Sequence, residues 1–332
     1  MRYEAVRSFV LSTSCRGFQI EHVQTEVDGD IKEGSLFEPS TNTVVPVRNF
    51  IPRFVGSSSY TANFGLQWNH FRRTQIDRFN GTTISADRFY AGTGWSPDGL
   101  RGERILEVGC GAGRFTQVML DAGADVWALD YSTAVDACWA NNGPHPRLCV
   151  IQGDLYALPF KRGYFDKVFC FGVLQHTPDV KRAFMSMVQF VKPGGEIAVD
   201  VYRKERWPTR WTSKYVCRPI TKRIPHNLLF RIVEWYVPRW LPFDNRLDEM
   251  PFFWRFAKYV RGIVPCWNYT GIFPLTKEQI REWAVLDTFD ALSPKYDQPQ
   301  TIETVESWFQ ETRLNDINVR YGSNGIVGCA RK

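Results

Sequence analysis

The sequence predicts an α/β protein built on a Rossmann-like, doubly wound sheet of seven strands, mostly parallel, with one antiparallel strand in a C-terminal hairpin. Three observations carry that expectation. The apolar run Arg104–Val108 has the length of a buried strand and breaks into glycines at alternate positions, Gly109, Gly111 and Gly113, before an amphipathic segment opens. Further apolar runs at 124–129, 148–152 and 165–172 alternate with helical segments, as right-handed crossovers between parallel strands require. At the chain end, apolar runs at 317–321 and 326–330 flank Ser323, Asn324 and Gly325, a hairpin signal.

In chain order, residues 1–60 alternate polar and apolar positions over 23–30, 31–36 and 44–47, which predicts small antiparallel strands. Residues 61–100 form a helical cap segment in which Phe64, Trp68, Phe71, Ile76 and Phe79 recur at roughly helical spacing, one amphipathic helix packed on the sheet edge. The core spans 101–202. Its helix at 115–122 stops at Gly123, Ser132 caps a helix at 133–140, and a crossover helix at 179–190 is stopped by Pro193, Gly194 and Gly195. Over 203–285 the alternation ceases in a basic, aromatic, helical insert, and 286–332 complete the core with a helix at 304–309 and the hairpin.

Composition bounds the rest. A hydrophobic fraction of 44% and a mean hydropathy of -0.30 describe a globular, soluble chain with room for two domains. No apolar run approaches the roughly 18 residues of a spanning helix, and the first residues lack the features of a signal peptide, so a cytoplasmic location is expected. The eight cysteines include no C-x-x-C pair and read as reduced core thiols. Residues 203–261 hold fourteen Lys and Arg against five Asp and Glu, an excess larger than the whole chain's formal +6, together with Trp207, Trp211, Trp235, Trp240 and Trp254.

Glycines at alternate positions suit a turn that needs positive φ or lets a ligand lie against the backbone, and the following helix offers free N–H groups to an anion. A dinucleotide fingerprint would place its third glycine at 114, where Arg114 stands instead. Asp130 closes the second run at the distance where an acidic side chain receives ribose hydroxyls, the third run ends in Gly153 and Asp154, and the fourth leads into Val173, Leu174, Gln175 and His176. Four strand ends thus carry glycine or polar residues along one edge.

Glu107-x-Gly109-x-Gly111-x-Gly113, Asp130, Gly153-Asp154, FDKVFCFGVLQHTPD at 165–179 and VKPGGEIAVDVY at 191–202 resemble, in order and spacing, the motifs of class I S-adenosylmethionine-dependent methyltransferases. The resemblance covers about a third of the chain. It implies S-adenosyl-L-methionine as cofactor, with S-adenosyl-L-homocysteine as product. It also implies a glycine turn under the methionine moiety, Asp130 on the ribose and Asp154 on the adenine amino group. The cofactor-binding set it implies is Glu107, Gly109, Cys110, Gly111, Gly113, Asp130, Tyr131, Asp154, Leu155 and Phe171, while Trp68, Gln75, Arg88 and Trp95 are further candidates from the segment that closes over the cofactor in that family. The N-terminus resembles a zinc-ribbon-like module that precedes some bacterial methyltransferase domains. With only Cys15 and His22 for ligands, it is expected to be a metal-free remnant.

Methyl transfer is an in-line displacement in which positioning outweighs acid–base chemistry. A hydroxyl acceptor benefits from a base, and His176 at the mouth of the fourth strand is the catalytic candidate, its alternative role being to order the loop. Tyr202, Arg203, Asp290 and Tyr296 are placed to face an acceptor, and the insert is expected to cap that site. The function expected is methylation of a small or lipid-linked molecule, such as a sugar or secondary-metabolite hydroxyl, with peripheral membrane contact through the insert. RNA methylation or binding is the alternative, although no nucleic-acid-binding module is visible, and a catalytically silent scaffold is the third.

Overall fold

A computed structural model of the protein describes residues 1–11, 17–56, 60–204, 213–249 and 264–332. Cys15, Trp207, Trp211 and Trp254 lie outside the described residues. The large sheet contains β5 (Arg104–Val108), β6 (Asp125–Asp130), β7 (Leu148–Gln152), β8 (Phe165–Cys170), β9 (Val191–Val201), β10 (Asn315–Gly322) and β11 (Gly325–Arg331). Its order is β10-β11-β9-β8-β5-β6-β7, parallel throughout except for β11, which runs antiparallel to both β9 and β10. This is the seven-stranded Rossmann-like fold that the sequence predicts.

Both faces of the sheet are buried, which is why its strands read as continuous apolar runs. Leu106, Val108, Trp127, Leu129, Val168 and Cys170 enter one core, while the alternating Ile105, Val126, Ala128 and Phe169 enter the other. The second core is roofed by the helices Ile84–Thr93, Arg114–Asp121 and Ala134–Asn142, the first by Val180–Val188 and Ile302–Gln310.

The N-terminal segment forms a separate four-stranded antiparallel sheet, β1 (Gln19–Val27), β2 (Asp30–Glu38), β3 (Thr43–Arg48) and β4 (Ile51–Pro52). Its inward residues Ile31, Leu36, Val45 and Val47 join the same core as Trp127 and Phe165. Beyond β4 the backbone runs beside β7, where Arg53 bridges to Gln152 in parallel and the Phe54 N–H donates to the Gln152 carbonyl at 2.8 Å. An edge strand that would otherwise expose unpaired donors and acceptors is thereby covered. Among the described residues no group of three His, Cys, Asp or Glu is placed to hold a metal ion.

Three sequence expectations need correction. The aromatic stretch from Phe64 to Phe79 is not one helix: Ala62–His70 ends at Phe71, the chain turns through Arg72–Gln75, and a short helix Asp77–Asn80 follows, leaving Phe79 exposed under Arg73 and Arg78. The turn carries Gln75 and Ile76 inward. Pro193, Gly194 and Gly195 do not stop the crossover helix, which ends at Val188; they lie inside β9, where a register irregularity opposite Phe165 and Lys167 accommodates them. The boundary drawn at 285 falls within the helix Lys277–Leu292, capped at Thr276 by reciprocal hydrogen bonds with Gln279. That helix packs on His226–Glu249 in a third core containing Phe71, Leu229, Val233, Val237, Ile280 and Phe289. The helix therefore continues past residue 285, to Leu292.

Phe309 closes the first core, its ring centroid 4.5 Å from that of Phe184, in space left by Gly328, whose absent Cβ would lie 2.4 Å from the ring. Phe309→Ala should lower stability by about 3–5 kcal/mol, measured as a fall in the urea midpoint at unchanged slope. A loss under about 1 kcal/mol would contradict this packing role.

Candidate active site

The strand order reverses between β5 and β8, and in open α/β sheets ligands occupy the crevice outside the carboxyl ends of strands at such a point. A cavity of about 1250 Å³ opens there, its floor made by the ends of β5 to β9 and its far wall by the helix Lys277–Leu292 and the loop before it. That volume exceeds the roughly 300–1,000 Å³ of a single small-molecule pocket, so two ligands can be held together.

On the floor, Gly109, Gly111 and Gly113 have φ of 80°, 51° and 85°, all left-handed. Asp130 pins this turn from the neighbouring strand: its Oδ2 accepts from the Gly111 N–H at 3.0 Å, and its Oδ1 accepts from the Ser132 N–H at 2.8 Å and the Ser132 hydroxyl at 2.7 Å. Burial raises the Asp130 pKa above its ordinary value, while these hydrogen bonds oppose the shift. Cys110 is buried within the turn, and burial pushes its thiol pKa up, away from the thiolate form.

Of the residues expected around the cofactor, Gly109, Cys110, Gly111, Asp130, Tyr131, Leu155 and Phe171 line the cavity. Glu107, Gly113 and Asp154 do not. Glu107 lies beneath the turn, where its Oε2 accepts from the Thr116 hydroxyl at 2.5 Å and burial raises its pKa to about 8. Gly113 caps the helix Arg114–Asp121 and is packed so closely that an added Cβ would meet Asn142 Nδ2 at 2.3 Å and Cys138 Sγ at 2.8 Å. Asp154 Oδ1 accepts from the Tyr156 N–H at 2.8 Å and caps the short turn Leu155–Ala157. Trp68, Gln75 and Arg88 reach the cavity, whereas Trp95 packs behind it against Phe89 and Phe169.

Toward the acceptor side, His176, Tyr202, Arg203 and Asp290 line the cavity. Tyr296 does not; its carbonyl stands 3.0 Å from His176 Nδ1. A carbonyl only accepts, so Nδ1 carries the proton and Nε2 is left with its lone pair. Nε2 is buried and has no hydrogen-bond partner. Burial lowers the His176 pKa, partly offset by Asp290 and Asp297, so the imidazole is neutral near pH 7. The Tyr202 ring meets His176 edge-on at 5.5 Å, and Lys214 Nζ lies 4.5 Å above Tyr202.

Sequence reasoning missed a polar chain that joins the two sides. Arg114 donates to Gln75 Oε1, Gln75 Nε2 donates to Asp287 Oδ1 at 3.1 Å, and Asp287 Oδ2 accepts from the Tyr269 hydroxyl and from Trp283 Nε1 at 3.0 Å. Burial raises Asp287 to about 7 and lowers Arg114 to about 9, which leaves the guanidinium cationic at neutral pH. A signal existed for both: Arg114 opens the helix after the glycine turn, and Asp287 stands three residues before Asp290 on one helical face. From the insert, Lys214, Tyr215, Trp267 and Phe273 also contribute to the cavity wall.

With this geometry in place, similarity to known proteins is informative. Residues 106–199 match the family described as "Methyltransferase domain". Together with the strand order, this makes the core a class I S-adenosylmethionine-dependent methyltransferase domain. The chain is 36% identical over 98 residues to a demethylmenaquinone methyltransferase of Renibacterium salmoninarum, covering 30% of this chain and 40% of that one. It is 30% identical over 109 residues to a ubiquinone biosynthesis O-methyltransferase of Pseudomonas aeruginosa, covering 32% and 47%. The matched region is thus less than half of either relative. An S-adenosylmethionine-dependent methyltransferase structure from Mesorhizobium loti aligns with a TM-score of 0.41 at 16% identity, over 70% of this chain and 92% of that one.

Gly113 separates a packing role from a contact role. Gly113→Ala should lose about 1–3 kcal/mol of stability, read from chemical denaturation, because a side chain there is both strained and in collision with Asn142. A variant as stable as the parent would show that the turn tolerates a different backbone path.

Proposed function

We propose that the protein transfers the methyl group of S-adenosylmethionine to an oxygen of a small or lipid-linked acceptor. The observation that carries this reading is the unpartnered, buried Nε2 of His176 on the acceptor side of a cavity whose floor is the glycine turn and Asp130. The residues present fit the cofactor: Gly111 exposes backbone to the cavity, Asp130 keeps accepting capacity beside it, and the buried Nε of Arg114 lacks a partner. When bound, the cofactor supplies an electrophilic methyl carbon on sulfur.

The chain's own part is to orient and to accept a proton. His176 Nε2 takes the proton of an acceptor hydroxyl as its oxygen attacks in line, and the imidazolium that forms is stabilised by Asp290 and Asp297, both of which favour the charged ring. The His176 Nδ1–H, held by the Tyr296 carbonyl, fixes the ring orientation throughout. Walls of Tyr202, Trp267, Phe273 and Trp283 favour a flat or apolar acceptor body. The domains of this reading are a cofactor-binding core, an N-terminal sheet that covers its edge, and an insert that caps the acceptor.

Transfer of tritium from S-[methyl-³H]adenosylmethionine to extracted phenolic and lipid-linked acceptors tests the activity. His176→Gln should lower kcat by about 10²- to 10⁴-fold and leave S-adenosylhomocysteine binding within a few fold. Because burial lowers the His176 pKa below its ordinary 6.5, the neutral base persists as pH falls through 6.5, and the parent's acid limb should lie lower still. The variant should lack that limb. An unchanged rate in His176→Gln would remove the base from the account.

A further inference from the structure

The insert carries an exposed apolar face that neither the cavity nor the methyl-transfer reading uses. On the helix His226–Glu249, Leu228, Ile232, Trp235 and Phe243 are 52%, 41%, 62% and 47% exposed. Their spacing, i, i+4, i+7 and i+15, places them on one stripe of the helix. The opposite face is the buried one: Leu229, Val233, Val237 and Leu241 enter the third core against Lys277–Leu292. The preceding helix, Ser213–Thr221, exposes two further apolar side chains, Val216 and Ile220, at 54% and 68%. Six large apolar side chains thus face outward from two consecutive helices, where a surface helix ordinarily presents polar residues.

Charge distinguishes the occupant. Among residues 214–247, Lys222, Arg223, Arg231, Arg239 and Arg246 are exposed cations, and Glu234 is the one exposed carboxylate. Arg231, Arg239 and Arg246 lie on or beside the apolar stripe at helical spacing, with the Arg239 guanidinium 4.8 Å over the Trp235 ring, while Glu234 points away toward His70 at 3.9 Å. Tryptophan, aliphatic and arginine side chains sharing one helical face match the boundary between acyl chains and anionic headgroups. No helix of the described residues is long and apolar enough to cross a membrane.

We infer that the outward face of Ser213–Thr221 and His226–Glu249 docks the protein on an anionic lipid bilayer. The same first helix carries Lys214 and Tyr215 into the cavity wall, next to Val216 on the docking face. Docking therefore sets the acceptor side of the cavity beside the lipid surface, which suits an acceptor with an acyl or prenyl tail. Only this last step rests on the proposed methyl transfer.

Sedimentation with vesicles tests the inference without an acceptor. The full-length protein should bind vesicles of phosphatidylcholine mixed with phosphatidylglycerol at low salt, bind phosphatidylcholine alone at least tenfold more weakly, and be released near 1 M salt, where screening acts within about 3 Å. The combined variant Ile220→Asp, Ile232→Asp, Trp235→Asp should lose at least tenfold in vesicle affinity, as should Arg231→Glu with Arg239→Glu. Both should bind S-adenosylhomocysteine as the parent does, which shows that they are folded and keeps this test separate from the enzymatic reading. Absence of binding to anionic vesicles, or equal binding by parent and variants, would overturn the proposal. So would a parent that ignores vesicles but forms a dimer which the aspartate variant dissociates, since the face would then be a protein interface.

Discussion

The carboxylate of Asp130 ties together the turns after β5 and β6, the first of which borders the point between β5 and β8 where the sheet reverses its order. One oxygen holds Gly111 in the turn after β5, and the other holds Ser132 at the start of the helix after β6. A buried carboxylate is costly unless its lone pairs are satisfied, and three donors from two separate segments satisfy this one. The left-handed glycines leave the backbone bare, and the helix Arg114–Asp121 starts beside the cavity, which Arg114 and Phe115 line.

The acceptor side depends on a different device. Arg114, Gln75 and Asp287 come from the helix after the glycine turn, the segment between β4 and β5, and the helix Lys277–Leu292, and their hydrogen bonds run in series. Tyr269 and Trp283 complete the shell of Asp287. Three parts of the chain far apart in sequence are thereby held at one site. Removing one partner strands another in a buried position, so the wall is expected to behave as a unit. His176 stands outside that chain; it lines the same cavity, and its buried Nε2 has no hydrogen-bond partner.

Legibility in the sequence followed the range of the interactions. The strand β5, its glycines and Asp130 are adjacent or separated by one strand–helix unit, and local pattern suffices to find them. The antiparallel hairpin was readable from its turn residues for the same reason. Glu107, Gly113 and Asp154 carry the expected residue types, yet Thr116, Asn142 with Cys138, and Tyr156 occupy or crowd them, and sequence spacing does not reveal such neighbours. The break after His70 was hidden because aromatic periodicity continues through it, although the chain turns so that Gln75 can reach Arg114 and Asp287. The extent of the helix Lys277–Leu292 was equally hidden, since it faces the third core along one side and the cavity along the other.

The central claim is that Asp130 and the glycine turn it holds form the cofactor floor. Calorimetric titration of S-adenosylhomocysteine into the parent and into Asp130→Ala tests it most directly. The account predicts saturable binding by the parent, no competition from NAD or ATP, and a loss of at least about 1.5–3 kcal/mol in the variant, the worth of a charge-assisted hydrogen bond. Equal affinity in the two proteins would contradict it.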